Sequence, residues 1–169
     1  VYDARGRLIR EIDPLGGIRQ REYDAANQLV LQIDRDDRER QYVYDDAGRR
    51  IRESWSDTGH VVDYTYDAAG NLISLVDPFS SLSFTYDNLN RLTTVDNSGT
   101  PDAPEVLLTY EYDAAQNLLS VEDSINGNTN GITEYVYDQL NRVAAILQSG
   151  DSVADKRVDL GYDRLGQFT

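Results

Sequence analysis

Tyr66-Asp67-Ala68-Ala69-Gly70-Asn71-Leu72 is the stretch that decides the fold, because its pattern returns along the whole chain. A tyrosine directly precedes an aspartate at eight places: Tyr2, Tyr23, Tyr44, Tyr66, Tyr86, Tyr112, Tyr137 and Tyr162. The other four tyrosines, Tyr42, Tyr64, Tyr110 and Tyr135, each lie two residues before one of these eight, and Phe84 occupies the same place before Tyr86. Successive copies lie 20 to 26 residues apart, which indicates an internal structural repeat.

Each copy predicts a tight hairpin turn. The aspartates that follow the tyrosines favour the first position of a type I turn, and they are Asp3, Asp24, Asp45, Asp67, Asp87, Asp113, Asp138 and Asp163. In seven copies the fourth residue after the tyrosine is glycine or asparagine: Gly6, Asn27, Gly48, Gly70, Asn90, Asn141 and Gly166. Both types tolerate a left-handed backbone, so we expect positive φ at all seven, as in a three-residue hairpin loop with a G1 bulge. We also expect each aspartate carboxylate to accept a backbone N–H two residues on.

Gln116 departs from this rule in the remaining copy, and Asn117 follows it directly. We therefore expect that turn either to shift by one residue or to carry some strain.

The turn geometry predicts the strand register. If Asp67 pairs with Asn71, Tyr66 lies opposite Leu72 and Tyr64 lies opposite Ser74. The same rule places the following residues opposite the eight repeat tyrosines: Leu8, Leu29, Arg50, Leu72, Leu92, Leu118, Val143 and Phe168. Seven of these are apolar, so we expect a continuous cross-strand ladder of tyrosine on leucine. Arg50 is the exception, and we expect its stem to lie on the Tyr44 ring.

The other ends of the hairpins are joined by segments rich in turn residues, at 13–17, 34–38, 56–59, 77–81, 97–105, 123–131 and 148–156. The last three are longer and predict longer loops on one edge. The predicted fold class is all-β: an antiparallel β-hairpin meander of about fifteen short strands, in a curved or spiralling sheet, because open twisted sheets rarely exceed ~10 strands without curling. Early repeats look more polar on their outward positions, as in Arg50-Ile51-Arg52-Glu53.

Composition disfavours several classes of function. The formal net charge is −14, from 30 acidic and 16 basic residues, which argues against nucleic acid and anionic membrane surfaces as partners. There is no cysteine, so disulfides and thiolate chemistry are excluded. No apolar run approaches the ~18 residues of a membrane span, so we predict no membrane insertion.

The sequence begins and ends inside a repeat, and we interpret residues 1–169 as an excerpt of about seven to eight repeats, truncated at both ends. Open strand edges are then expected at residues 1–5 and 160–169, where a second copy could pair edge to edge. Because salt screens the negative charge, such association should increase between ~10 mM and ~150 mM salt. Light scattering that shows a strict monomer across this range would reject the expectation.

Three candidate sites have simpler interpretations. His60, the single histidine, follows the turn 56–59 and is interpreted as a surface-turn residue. The run Asn126-Gly127-Asn128-Thr129-Asn130-Gly131 imitates the start of a calcium loop, but its twelfth position is Tyr137 instead of a bidentate glutamate, so we interpret it as a hairpin loop. Asp34, Asp36, Asp37 and the repeat aspartates are interpreted as turn residues or solvated charges. We therefore predict no catalytic residue, no cofactor and no metal site.

The run Tyr-Asp-x-x-Gly-Arg/Asn-Leu, with Asp-Pro-x-Gly between copies, resembles the RHS/YD repeat, and Tyr66 to Leu72 and Asp13-Pro14-Leu15-Gly16 come near to that consensus. The resemblance covers the whole chain. The family that it indicates includes Rhs polymorphic toxins, insecticidal toxin-complex cocoon subunits and teneurins. It implies a spiral of β-hairpins that forms a hollow shell, which in the toxins sequesters a C-terminal toxic domain. Asp13-Pro14-Leu15-Gly16 is interpreted as an inter-repeat turn, although its sequence is similar to part of the segment that ends the repeat core in this family.

The resemblance implies a non-catalytic structural segment of a secreted or cell-surface protein. Its partners would be the neighbouring repeats of the parent chain and an enclosed C-terminal toxin. The alternative is an extracellular adhesion module that binds carbohydrate or protein through exposed tyrosines. A ladder packed on leucine is favoured over exposed, sugar-stacking tyrosines, and an enzyme is the least favoured class.

Overall fold

A computed structural model describes residues 1–150 and 153–168. In these residues fourteen strands form one sheet, in which every strand pairs antiparallel with its neighbours in sequence. The predicted meander is therefore confirmed. The strands are β1 Arg10–Ile12, β2 Ile18–Tyr23, β3 Leu29–Ile33, β4 Glu39–Tyr44, β5 Arg50–Trp55, β6 Val61–Tyr66, β7 Leu72–Val76, β8 Ser81–Tyr86, β9 Leu92–Asp96, β10 Val106–Tyr112, β11 Leu118–Ile125, β12 Asn128–Tyr137, β13 Val143–Gly150 and β14 Val153–Asp159.

The tyrosine–aspartate turns close six hairpins, from β2–β3 to β12–β13. They all lie at one edge of the sheet, by which we mean the side formed by the ends of the strands. Two further copies form isolated bridges, Tyr2 with Leu8 and Tyr162 with Phe168. In all eight copies the tyrosine lies opposite the predicted residue. Opposite Tyr66, for example, lies Leu72.

The register further from the turn differs from the prediction. Thr65 pairs with Ser74 and Tyr66 pairs with Leu72, so Ile73 is an extra residue without a partner. Such a β-bulge shifts the rest of the strand by one position. Tyr64 consequently lies opposite Leu75, and the predicted pairing of Tyr64 with Ser74 is wrong.

The same shift occurs beside the tyrosine in all six hairpins. The bulge gives the second aromatic of a repeat an apolar partner in four hairpins: Tyr64 with Leu75, Phe84 with Val95, Tyr110 with Val121 and Tyr135 with Ile146. The extra residue therefore keeps both aromatics of a repeat against apolar neighbours.

Two of the three long connections are extended strands, so the prediction of longer loops is wrong there. Strands β11 and β12 continue through most of segment 123–131 and are joined by Asn126 and Gly127, both with positive φ, as in a two-residue hairpin turn. Strands β13 and β14 likewise reach into segment 148–156, of which residues 151 and 152 lie outside the described residues. Segment 97–105 is a loop between β9 and β10.

Side chains of paired residues lie on the same face of a sheet, so the register defines two faces. We call the face that carries the repeat tyrosines the tyrosine face. Over β6–β10 it consists of Val62, Tyr64, Tyr66, Leu72, Leu75, Leu82, Phe84, Tyr86, Leu92, Val95, Val106, Leu108, Tyr110 and Tyr112. The opposite face, which we call the hydroxyl face, carries Thr65, Ser74, Ser83, Thr85, Thr94 and Thr109 over the same strands.

Few side chains of the described residues are buried, because a second layer does not cover this sheet in the part of the chain that the structure describes. The buried apolar residues are Tyr42, Val62 and Ala145, and the one buried charged residue is Glu53. Within residues 1–150 and 153–168 no helix is long and apolar enough to cross a membrane.

Candidate functional site

A row of tyrosine hydroxyls joins each repeat to the one before it. The hydroxyl of Tyr86 donates a hydrogen bond of 2.9 Å to the backbone carbonyl of Leu72, the residue that lies opposite Tyr66 in the preceding repeat. Six other repeat tyrosines make the same bond, at 2.8–3.3 Å: Tyr23 to Leu8, Tyr44 to Leu29, Tyr66 to Arg50, Tyr112 to Leu92, Tyr137 to Leu118 and Tyr162 to Val143. We call this contact the inter-repeat lock.

The lock supplies a hydrogen bond at a position where the backbone pairing between two adjacent hairpins has ended. Pairing between β7 and β8 begins at Ser74 with Ser83, so Leu72 lies beyond the last ladder pair of these two strands. A backbone carbonyl without a partner is costly when it is shielded from water. The Tyr86 hydroxyl gives the Leu72 carbonyl a donor from the next hairpin, a bond that phenylalanine at this position could not make.

The aspartate after the tyrosine organises each turn. In the Asp67 turn, the N–H of Asp67 donates to the Asn71 carbonyl at 2.9 Å, and the N–H of Gly70 donates to the Asp67 carbonyl at 3.1 Å. The Asp67 carboxylate accepts the N–H of Asn71 at 2.8 Å. It also accepts the side-chain amide of Asn71 at 2.9 Å, and these bonds hold the pKa of Asp67 below its ordinary value of 3.8.

The positive φ predicted at the seven glycine and asparagine positions is confirmed, with values from 58° to 94°. The carboxylates of Asp45, Asp87 and Asp138 accept the N–H two residues on, as expected. Each also accepts the N–H four residues on, a second bond that the sequence analysis did not foresee.

Gln116 keeps the ordinary turn without a shift. Its φ is +72°, its N–H donates to the Asp113 carbonyl at 3.1 Å, and the N–H of Asp113 donates to the Asn117 carbonyl at 2.9 Å. The alternative of a one-residue shift is therefore wrong. A glutamine has replaced glycine or asparagine in a left-handed position, which it occupies at some cost.

The residue after the left-handed position links neighbouring turns, a role that the sequence analysis missed. The Arg91 Nε donates to the Asp87 carboxylate of its own turn at 2.7 Å. Its Nη1 donates to the Asp113 carbonyl of the next turn at 3.1 Å, and its guanidinium lies 4.6 Å from the centroid of the Tyr112 ring. We call this arrangement the arginine clasp. Arg7 and Arg49 make the same three contacts, and Arg142, in the last of these alternate repeats, bonds Asp138 and lies over the Tyr162 ring.

Asparagine makes a shorter version of the clasp in two of the intervening repeats. The Asn71 side-chain amide donates to the Asp67 carboxylate and, at 2.9 Å, to the Asn90 side chain of the next turn. Asn117 bonds Asp113 at 2.9 Å and reaches Asn141 at 3.4 Å. The sequence did carry a sign of this role, because arginine and shorter amides alternate strictly at this position along the eight copies.

Glu53 is the most buried charged side chain among the described residues, with 1% of its surface exposed. Arg50 bonds its Oε2 at 2.7 Å, Arg40 pairs with its Oε1, and the Tyr64 hydroxyl donates to Oε2 at 3.3 Å. The interpretation of residues 50–53 as outward and polar is wrong for Glu53, because the bulge places it opposite Tyr42 on the tyrosine face. The Arg50 guanidinium lies 4.9 Å from the Tyr42 ring centroid. Arg50 still lies opposite Tyr44 in the strand pairing, so the expected packing of its stem on the Tyr44 ring stays a prediction.

His60 follows a turn, as expected, but its ring is packed between aromatic side chains. It stacks on Phe79 at 5.7 Å between ring centroids and meets the edge of Trp55 at 5.1 Å. Its Nε2 lies 3.6 Å from the Asp77 carboxylate, and 24% of its side chain is exposed. These contacts join the β5–β6 and β7–β8 connections at the edge opposite the tyrosine–aspartate turns.

The acidic candidates at the same edge are turn residues. Asp34 accepts the N–H of Asp36 and binds Arg38, and Asp37 has a φ of +56°. Asp13-Pro14-Leu15-Gly16 forms the same kind of turn between β1 and β2, as the sequence analysis predicted, with the Gly16 N–H donating to the Asp13 carbonyl at 3.0 Å. In the part of the chain that the structure describes, no three histidine or acidic side chains cluster so that they could hold a metal ion.

Comparison with known families gives one match along the chain. The model of the family described as RHS Repeat matches residues 2–39, 23–54, 44–81 and 66–101, which together cover residues 2–101. A search of curated proteins finds no significant match.

Solved structures show the same fold. The crystal structure of TcdB2-TccC3 is similar over 96% of this chain and 10% of its own, with a TM-score of 0.77 and 20% identity. TcdB2-TccC3 without its hypervariable C-terminal region matches over 97% of this chain and 10% of its own, with a TM-score of 0.78 and 20% identity. The Tc holotoxin pore of Photorhabdus luminescens, with a mutation in TccC3, matches over 99% of this chain and 13% of its own, with a TM-score of 0.56 and 16% identity. The chain thus spans about a tenth of the length of these solved chains.

Proposed function

Because the chain belongs to the RHS repeat family, we propose that it is a structural segment of a β-shell in a larger protein, and that the shell encloses or presents another polypeptide. The observation that carries this proposal is the inter-repeat lock, which recurs in seven consecutive repeats at nearly the same distance. Contacts that repeat in this way extend a sheet indefinitely without forming a closed core.

The repeat tyrosines and the turn residues are the functional residues of this segment, and their role is structural. The tyrosine hydroxyls and the arginine clasps hold adjacent turns together, and the turn aspartates fix the hairpin register. The segment itself performs no reaction in this proposal, and its first partners are the neighbouring repeats of the same polypeptide.

The enclosed partner is proposed to be a C-terminal toxin domain of the parent protein, which would be secreted or displayed at a cell surface. Support comes from the kind of protein that shares the fold, since the similar solved structures are TcdB2-TccC3 assemblies and a Tc holotoxin pore. One of them is described as lacking a hypervariable C-terminal region.

The alternative of an adhesion module that recognises ligands through exposed tyrosines has less support. Seven of the eight repeat tyrosine hydroxyls donate to backbone carbonyls of the protein itself. Their hydroxyl hydrogens are therefore not available to donate to a sugar unless the locks open.

Limited proteolysis of the longer polypeptide that contains this segment tests the proposal. The residues outside the repeats should resist protease in buffer and should be cut only at the denaturant concentration at which the far-ultraviolet circular dichroism of the sheet is lost. As a control, the same residues expressed without the repeats should be cut at once. Rapid cutting of the non-repeat residues while the sheet remains folded would contradict enclosure.

A further inference from the structure

The negative charge of the chain is concentrated in its middle. Residues 1–52 carry eleven acidic and eleven basic side chains, and residues 142–169 carry four of each. Residues 53–141 carry fifteen acidic side chains but a single arginine, Arg91, and no lysine. The whole net charge of −14 therefore comes from this segment, which extends from β5 to the turn after β12.

Part of this charge lies on the hydroxyl face, where the register places four carboxylates over β9–β12: Asp96, Glu111, Glu122 and Glu134. In the part of the chain that the structure describes, the ion pairs of this face lie on other strands, and they join Arg52 to Asp63 and Arg157 to Asp159. The hydroxyl face of β9–β12 thus presents negative charge that no cation of the protein balances.

Exposed apolar side chains lie among these carboxylates. Leu107 is exposed and lies opposite Asp96, and the exposed Val136 follows Glu134 by two positions on the same strand. Leu119, also exposed, is the extra residue of the bulge between β10 and β11.

The extra residue of such a bulge points to the hydroxyl face. In the corresponding bulge between β8 and β9, the hydroxyl of Thr93, the extra residue, lies 2.7 Å from the hydroxyl of Thr85 on that face. Leu119 has the same position in its own hairpin. Carboxylates and exposed apolar side chains therefore form one mixed surface, which we call the acidic–apolar patch: Asp96, Leu107, Glu111, Leu119, Glu122, Glu134 and Val136.

We propose that the acidic–apolar patch is a docking surface for a basic polypeptide, and that the docked segment is a helix with lysine or arginine and apolar side chains on one face. Glu111, Ser120 and Glu134 lie in one row across β10–β12, so the two carboxylates are two strand spacings, about 10 Å, apart. Basic residues about seven positions apart on an α-helix are separated by a similar distance. Leu119, on the strand between them, would meet an apolar side chain of the intervening turn.

Charge complementarity selects this partner. Nucleic acid, an anionic membrane and a second copy of the chain are all negatively charged and would be repelled. A divalent cation is not favoured, since no three acidic side chains of the described residues cluster so that they could hold one. The exposed apolar side chains favour a polypeptide over a small polyamine, because an exposed apolar patch is typical of a protein interface.

This inference goes beyond the proposed enclosing function and does not depend on it, because it concerns the hydroxyl face whether or not the parent protein encloses another polypeptide. Fluorescence anisotropy tests it with a fluorescein-labelled, alanine-based helical peptide. Lysines about seven residues apart and leucines midway between them share one face of this peptide. In one control peptide glutamine replaces every lysine, and in a second the leucines lie on the opposite face of the helix.

Two double variants with the same net charge separate the patch from the charge of the chain as a whole. Glu111→Gln with Glu134→Gln removes two exposed carboxylates of the patch. Asp46→Asn with Asp57→Asn removes two exposed carboxylates from the β4–β5 turn and the β5–β6 connection. Both variants replace acids by amides of nearly the same shape.

The wild-type chain should bind the lysine–leucine peptide more tightly than either control peptide. The patch variant should lose affinity by about fivefold or more, because two ion pairs with the peptide are lost, whereas the control variant should stay within about twofold of the wild-type chain. If the patch variant does not fold by circular dichroism, Leu119→Ser, which changes no charge, replaces it and should weaken binding in the same direction.

An equal loss of affinity in the two double variants would overturn the proposal, because the net charge alone would then explain the binding. Equal affinity for the glutamine peptide would overturn it in favour of apolar contact alone. Equal affinity for the peptide with displaced leucines would overturn it in favour of a simple counterion effect, and so would an absence of binding to any of the peptides.

Discussion

Replacing Tyr86 by phenylalanine should weaken the contact between two adjacent repeats without disturbing either hairpin. The substitution removes only the hydroxyl that donates to the Leu72 carbonyl at 2.9 Å. The ring stays in place opposite Leu92, so the apolar cross-strand pair is kept. The change therefore isolates the hydrogen bond of one inter-repeat lock.

The expected loss is about 1 kcal/mol of the free energy of unfolding, the usual net contribution of a hydrogen bond in a protein. A larger loss is not expected, because the Tyr86 hydroxyl is only partly buried and water can reach the freed carbonyl of Leu72. For a chain of this size, 1 kcal/mol lowers the Tm by about 2–4 °C.

Thermal unfolding followed by far-ultraviolet circular dichroism measures the effect, with Tyr2→Phe as the matched control. Tyr2 is 66% exposed, and its hydroxyl makes no hydrogen bond to any of the residues that the structure describes. The Tm of Tyr2→Phe should equal that of the wild-type chain. An unchanged Tm for Tyr86→Phe, or an equal decrease for both variants, would refute the lock.

Three further perturbations test the turns. Gly70→Val should cost about 1–2 kcal/mol or more, because a β-branched residue resists the left-handed backbone at a φ of +94°, whereas Gly70→Asn should be milder in the same urea titration. Arg91→Met should lower the Tm by more than Tyr86→Phe, since it removes bonds to Asp87 and Asp113 and the contact with Tyr112; the exposed Arg164→Met is its control. Hydrogen bonds, above all from the backbone and side chain of Arg91, lower the pKa of Asp87 below 3.8. The folded state thus favours the charged Asp87 carboxylate. The stability that this carboxylate contributes is present above about pH 3.8 and is lost as the pH falls through its lowered pKa. Urea titrations should accordingly show level stability from about pH 7 to pH 5 and a decline below about pH 4, less steep in Asp87→Asn.

The sequence predicted the turns and the first cross-strand pair because both depend on local chemistry. Aspartate and glycine at fixed spacing determine a turn such as 67–71, and the turn places Tyr66 opposite Leu72. The bulge at Ile73 was missed because isoleucine is an ordinary strand residue. The residue type at this position therefore does not distinguish a bulge from a regular strand. Only the pairing of Tyr64 with Leu75 shows it.

The misread connections and the buried Glu53 depend on which residues pair across strands, and the residue types alone do not show this pairing. Segment 123–131 is rich in turn residues, yet Asn126 and Gly127 alone make the turn, and the residues around them pair as strands. Glu53 reads as an exposed charge, but the shifted register places it between Arg40 and Arg50. The arginine clasps were missed for a similar reason, because each one binds a turn about twenty residues away.

Electron cryo-microscopy of the longer polypeptide that contains this segment tests the central claim most directly. We expect a single-layer sheet of these hairpins, in which the Tyr86 hydroxyl meets the Leu72 carbonyl and which surrounds density from outside the repeats. A second β-sheet packed on this one, or a shell that surrounds only bulk solvent, would contradict this expectation.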